Sequence, residues 1–246
     1  MLMRTPDSDE LLTVWERWLG ADSVARGLSL LELVRPDLTV DAIAGLSIGS
    51  RDGMLLDVRE MLFGRTIVGL IECPACGDTL EIEVATGDLR ATSPHGLTTV
   101  SRLDYEISLH PCDSRDQMAA EHAAPEQRVR ILLERCITSA NCAGQPTPIH
   151  LLPSEVIEAV EDRIAELDPQ ADVQLGLCCP ACSHQWDAAF DILSFMWAEL
   201  GEWAVRTLRD VHQLAAAYGW SERDILALSP IRRRHYLGMV EAWLAS

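Results

Sequence analysis

Four of the eight cysteines form two copies of one tetrapeptide, Cys73-Pro74-Ala75-Cys76 and Cys179-Pro180-Ala181-Cys182. A C-x-x-C turn presents two thiolates, and two such turns complete a tetrahedral metal shell. The candidate ligands are therefore Cys73, Cys76, Cys179 and Cys182, and the candidate cofactor is zinc, one ion per chain. Four thiolates close the shell, so the expected role is structural and not catalytic. Spacing argues against this set, because residues 77–178 separate the two turns. A rival set joins Cys73 and Cys76 to His110 and Cys112, leaving the second turn to Cys178, His184 or a partner chain. A third reading has thiols packed without metal. A redox role fits poorly: thioredoxin-like motifs open a helix, and strand-like runs follow both turns here.

Those runs are the elements that must position the thiols. Ile67, Gly69 and Ile71 alternate before the first turn, and Val173, Leu175 and Leu177 before the second. Leu80, Ile82 and Val84 follow the first turn at the offsets where Trp186, Ala188 and Phe190 follow the second. This is strand, knuckle and strand, written twice, as in two halves of one zinc ribbon. Cys179 matches Cys73 in register, which leaves the adjacent Cys178 outside the shell. His184 reads as a polar turn residue. Cys136 lies on an apolar helical stripe, where a small core residue is usual; Cys142 falls in a loop.

Helices are expected elsewhere. Leu11, Leu12, Trp15, Trp18 and Leu19 share a helical face, as do Val24, Leu28, Leu31 and Val34. Thr39 and Ser50 are candidate caps, and Gly64 a stop. Thr86 to Gly96 is turn-like, and Leu103 to Leu109 alternates as a half-buried strand. Helical spacing returns from 113 to 168, broken by a loop at Ala140 to Pro148. Asp191 precedes the longest apolar stripe, which runs to Tyr218. Ser221 with Asp224, and Ser229-Pro230, open two shorter helices. The predicted fold is α+β, mostly helical, with a small zinc-ribbon-like antiparallel β unit split by a helical insertion. Its parts are 1–64, an N-terminal helical region; 65–112 and 171–190, the bipartite β unit; 113–170, the insertion; and 191–246, a C-terminal helical region.

The chain has 246 residues and 48% hydrophobic residues, enough for a substantial core. Net charge is −18, a field that opposes nucleic acid and anionic membranes. All twenty basic residues are Arg, which removes lysine nucleophiles, Schiff bases and phosphate-loop lysines. The N-terminus lacks the apolar stretch of a signal peptide, and charges interrupt the longest apolar segment. With free cysteines, this points to the reducing cytoplasm. No nucleophile elbow, phosphate loop, dinucleotide fingerprint or zinc-protease motif is present, so no enzyme and no small-molecule substrate is expected. Arg232, Arg233 and Arg234 splay around their helix and read as a solvated start. Seven Trp against three Phe and three Tyr is an unusual mix; most Trp are expected in the core, with Trp197 beside the main stripe.

The run CPACSHQWDAAFDILSFMWAEL, followed by VHQLAAAYGWSERDILALSPIRRRHYL, resembles a family related to T-even phage baseplate assembly proteins. LLDVREMLFGRTIVGLIECPACGDTLEIEV is similar to the amino-terminal part of the same family. Relatives occur among contractile-tail and contractile-injection gene sets. The resemblance implies a non-enzymatic part or assembly helper of a baseplate. Its partners would be other baseplate or tail proteins, and it could enter an assembled particle. On that reading Cys73, Cys76, Cys179 and Cys182 would be the zinc ligands. The alternative is a zinc-ribbon regulatory protein that binds nucleic acid or transcription machinery.

Overall fold

The computed structural model describes residues 3–92, 96 and 98–244. In chain order the elements are α1 (Ser8–Arg17), α2 (Ser23–Val34), α3 (Val40–Ala44), α4 (Ile48–Phe63), β1 (Thr66–Glu72), β2 (Thr79–Ala85), β3 (Thr99–Arg102), β4 (Tyr105–Leu109), α5 (Ser114–Glu121), α6 (Arg128–Cys136), β5 (Ile137–Cys142), β6 (Gln145–Pro146), α7 (Ser154–Leu167), β7 (Gln174–Cys178), β8 (Gln185–Ala189), α8 (Ile192–Tyr218), α9 (Glu222–Leu226) and α10 (Pro230–Leu244). The structure is 56% helix and 18% strand, in small antiparallel sheets, which is the α+β class predicted. Among the described residues no helix is long and apolar enough to cross a membrane. The predicted turn at Thr86 to Gly96 begins as a 3-10 helix at Thr86–Leu89; Ser93, Pro94 and His95 lie outside the described residues.

Two compact units form, one from residues 1–36 with 193–246, the other from 37–192. The first division falls after Pro36, inside the 1–64 stretch read from sequence as one helical region.

The first unit is helical. Asp7 caps α1 in a reciprocal box with Glu10, and Asp22 caps α2. Leu12, Ala204, Val211, Leu214, Ile225, Leu226 and Val240 form its core, with Trp15, Trp203, Trp220 and Tyr236 packed around them. Tyr218 stacks on Trp220 at 4.7 Å, and Trp220 meets Tyr236 edge-on at 4.9 Å. Gly219, at φ 69°, ends α8 in the left-handed region, and Ser221 caps α9 through the Asp224 amide. Trp197 is half-buried under the Arg26 guanidinium, 4.9 Å from the ring centroid. Two sequence expectations fail here. Leu19 is exposed, because α1 stops at Arg17 with Trp18 as its C-cap. Arg233 is not a solvated helix residue but is only 4% exposed.

The second unit carries the strands. Thr39 caps α3 as expected, whereas α4 begins earlier than predicted: Ser47 is its cap, and the Ser50 amide is the donor. A four-stranded sheet, β3-β4-β5-β6, packs Ile107, Leu109, Ile137 and Ala140 with Leu133 of α6 and Val156 and Val160 of α7. Two of its hairpins correct the sequence reading. Leu103 and Asp104 are not strand but the turn joining β3 to β4, with Leu103 at φ 54°. The predicted loop at 140–148 contains the β5–β6 hairpin, turning through Ala143 and Gly144 at φ 48° and 78°. Positive φ at both turn residues is the tight-hairpin geometry, here with Ala in place of the usual Asn or Asp. The segment 113–170 is therefore not wholly helical.

Candidate metal centre

Both knuckles rise from antiparallel hairpins of identical register. β1 and β2 pair Glu72 with Thr79 and Ile71 with Leu80; β7 and β8 pair Cys178 with Gln185 and Leu177 with Trp186. The turn hydrogen bonds also repeat. The Cys73 amide donates to the Asp78 carbonyl at 2.8 Å and the Gly77 amide to the Cys73 carbonyl at 2.9 Å. In the second knuckle the Cys179 amide donates to the His184 carbonyl at 2.9 Å and the Ser183 amide to the Cys179 carbonyl at 2.8 Å. Gly77 and Ser183, each following the second cysteine, take φ 75° and 60°. The sequence folds this way because proline fixes one dihedral inside the turn and alternating apolar residues set the strands on either side.

Long-range contacts bring the second hairpin to the first. β1 leaves α4 after two residues, with Gly64 at φ 91° making the turn. At the far end of β1–β2, the Thr86 hydroxyl donates to Glu60 of α4 at 2.6 Å and Arg90 reaches both Glu60 and Asp57. The second hairpin starts from the end of α7. There the Asp168 carboxylate accepts the Gly49 amide at the start of α4 at 2.7 Å. A Cβ on Gly49 would lie 2.1 Å from Asp168 Oδ1, so only glycine permits this approach. Gln170 then donates to the Leu89 carbonyl at 3.0 Å and accepts the Ala91 amide at 2.7 Å. Segment 168–170, just before β7, is thus fastened to α4 and to the strand exit of β2. Sequence reasoning missed Asp168 and Gln170 as positioning residues, since nothing local distinguishes them from ordinary turn residues.

The four sulfurs of Cys73, Cys76, Cys179 and Cys182 all lie within 4.8 Å of one another. The close pairs run between knuckles: Cys73 to Cys182 at 3.7 Å and Cys76 to Cys179 at 3.6 Å. A tetrahedron of sulfurs around zinc, with bonds near 2.3 Å, has edges of about 3.8 Å. The cluster therefore fits a metal ion of that size in both donor type and spacing. Cys73 and Cys179 are buried, Cys76 and Cys182 exposed, and Ile71, Leu80 and Trp186 pack against the buried pair.

Backbone amides aim at the sulfurs. Burial pushes the Cys73 thiol up, but the amides of Cys76 and Ala75 with the Cys76 and Cys182 thiols outweigh it, and it falls to about 7. The Asp78 amide favours the Cys76 thiolate; the Cys182, Cys73 and Cys179 sulfurs, together with burial, raise that thiol to about 12. Cys182 receives the His184 amide and is also raised, by burial and the Cys179 and Cys73 sulfurs. The backbone amides favour the thiolate at Cys73, while the crowding of sulfurs holds the Cys76 and Cys182 thiols up.

The rival ligands lie elsewhere. His110 hydrogen-bonds the carbonyls of Pro111 and Arg135 through its two ring nitrogens. Cys112 interacts with Cys136. Cys178 is exposed and outside the cluster. The His184 ring stacks on Trp186 at 5.8 Å, so only its backbone serves the knuckle.

No curated protein matches the chain, and no solved structure does. A family model does, over residues 29–197, a span that contains both knuckles, the whole of unit 37–192 and the start of α8. That model is described as T4 bacteriophage base plate protein, and its match covers well over half of the 246 residues, so the chain belongs to the T4 bacteriophage base plate protein family.

Proposed function

We propose that this protein is a non-enzymatic structural or assembly component of a phage-like contractile baseplate, and that one zinc ion at Cys73, Cys76, Cys179 and Cys182 staples its two hairpins. The observation that carries the reading is the tetrahedral-scale cluster of four sulfurs inside the region matched to the baseplate family. The ion would supply charge to the thiolates and a crosslink between distant segments. A structural zinc shell contributes on the order of 10 kcal/mol to a folded state. That would fix the two hairpins as one rigid body, which suits a part whose task is to present surfaces to other tail and baseplate proteins in the cytoplasm or the assembled particle. Closed thiolate coordination leaves no place for a substrate, and the −18 net charge disfavours the nucleic-acid alternative.

The test is co-expression with baseplate and tail proteins from the same genome. The wild-type chain should co-elute with at least one of them in size-exclusion chromatography. The Cys179→Ser/Cys182→Ser chain should lose that association. Co-elution with none of them, or with RNA polymerase instead, would contradict the proposal.

A further inference from the structure

The helical unit of residues 1–36 and 193–246 holds a cleft of about 630 Å³, lined mainly by α8 and α10. Arg206, Arg209, Arg233 and Arg234 line it, against two lining carboxylates, Asp210 and Glu241. A chain of net charge −18 thus gathers a local excess of positive charge. The cleft's lining residues all lie outside the family match of 29–197 and in the unit that does not carry the four clustered cysteines.

Arg233 is the key. It is 4% exposed, and its guanidinium is poorly satisfied. Nη2 donates to Ser8 Oγ at 3.3 Å and to the Leu228 carbonyl at 3.5 Å, both long. Its Nε is buried with no partner. Burial lowers the Arg233 pKa and raises that of Asp210; each feels the other, but among the described residues no ion pair joins them. A buried guanidinium left so short of partners is costly. Its position adds to that cost: Arg232 and Arg233 lie in the first turn of α10, with Arg234 next, at the end of a helix where cations are disfavoured and anions favoured. This arrangement opposes stability on both counts, and a bound anion would reverse both. Guanidinium forks match carboxylates and phosphates in shape as well as charge. Trp203 and Leu237 supply apolar wall.

We propose that this cleft is an oxyanion-binding site for a compact group of about two negative charges, the chemistry shared by phosphate and by adjacent carboxylates of an acidic peptide. An extended polyanion is disfavoured, because the rest of the chain would repel it.

Calorimetric titration of the full chain in chloride buffer tests this, with inorganic phosphate in one arm and a short peptide of adjacent Asp and Glu residues in the other. At least one probe should bind with unit stoichiometry, less tightly at higher salt. Binding of phosphate alone assigns a small anion; binding of the peptide alone assigns an acidic protein segment; both outcomes support the site. Arg209→Gln and Arg234→Gln, at exposed positions, should each weaken binding about tenfold. Arg233→Met should abolish binding while leaving Tm unchanged or higher, since it removes an unsatisfied buried charge. Failure of both probes to bind the wild-type chain overturns the proposal. So does binding that is indifferent to Arg209→Gln and Arg234→Gln. A fall in Tm for Arg233→Met would make Arg233 a structural strut and also count against it.

Discussion

The two cysteine hairpins share a register and a turn, but they are held in place differently. The first follows α4 directly and is fastened back onto it through Glu60, Thr86 and Arg90. Its strands are seven residues each. The second has five-residue strands and is led to the site by Asp168 and Gln170, after the whole β3–β6 sheet and three helices. A short two-stranded hairpin is marginal by itself. Knuckle geometry is therefore local and portable, whereas its delivery to the site is a tertiary achievement that differs between the copies.

The largest asymmetry should appear when the cluster is broken. In Cys179→Ser/Cys182→Ser, or in wild-type chain treated with a strong chelator, the proposed zinc crosslink, on the order of 10 kcal/mol, would be lost. Amide exchange should then accelerate in β7–β8 well before β1–β2. Equal acceleration in both hairpins would remove the distinction. Next in size is Asp168→Ala, which leaves the buried Gly49 amide without its acceptor and should cost about 1–3 kcal/mol in denaturant unfolding. If the hairpins differ as described, it should also loosen β7–β8 and spare β1–β2.

A smaller difference lies inside the turns. Gly77 and Ser183 occupy the same left-handed position. Gly77→Ala should destabilise by roughly 1 kcal/mol, and Ser183→Gly should be neutral or stabilising by a similar amount. Opposite signs in thermal unfolding would confirm that the second copy carries strain the first avoids. The smallest effect concerns Glu60. Its hydrogen bond from Thr86, with help from Arg90, holds its carboxyl below the ordinary 4.5. A depressed folded pKa gives stability that is present above the unfolded value and lost as pH falls through the folded one. Glu60→Gln should therefore flatten the fall in stability below about pH 4.5, an effect of under about 1 kcal/mol at this partly exposed site.

Much of this was legible in the sequence for local reasons. The repeated CPAC turns with matched alternation predicted both hairpins, and the alternating Leu80, Ile82 and Val84 fall inside β2. Helix stripes and the Thr39 and Ser221 caps could be read because capping acts within three residues. What escaped was non-local or disguised. β5 follows α6 without a break at Cys136, so no turn residue announces it. Leu103, an apolar residue in a turn, carried the alternation across a hairpin and hid β3. Asp168 and Gln170 gain their meaning only from partners in α4 and after β2. Arg233 sits in a run whose neighbours are exposed, and a run of like charges does not reveal which member turns inward.

Native mass spectrometry of chain purified without chelators addresses the central claim most directly. The expected result is a mass excess of one zinc ion per chain, absent from Cys179→Ser/Cys182→Ser. A folded wild-type chain carrying no metal, or one that keeps its zinc when both late cysteines are replaced, would contradict it.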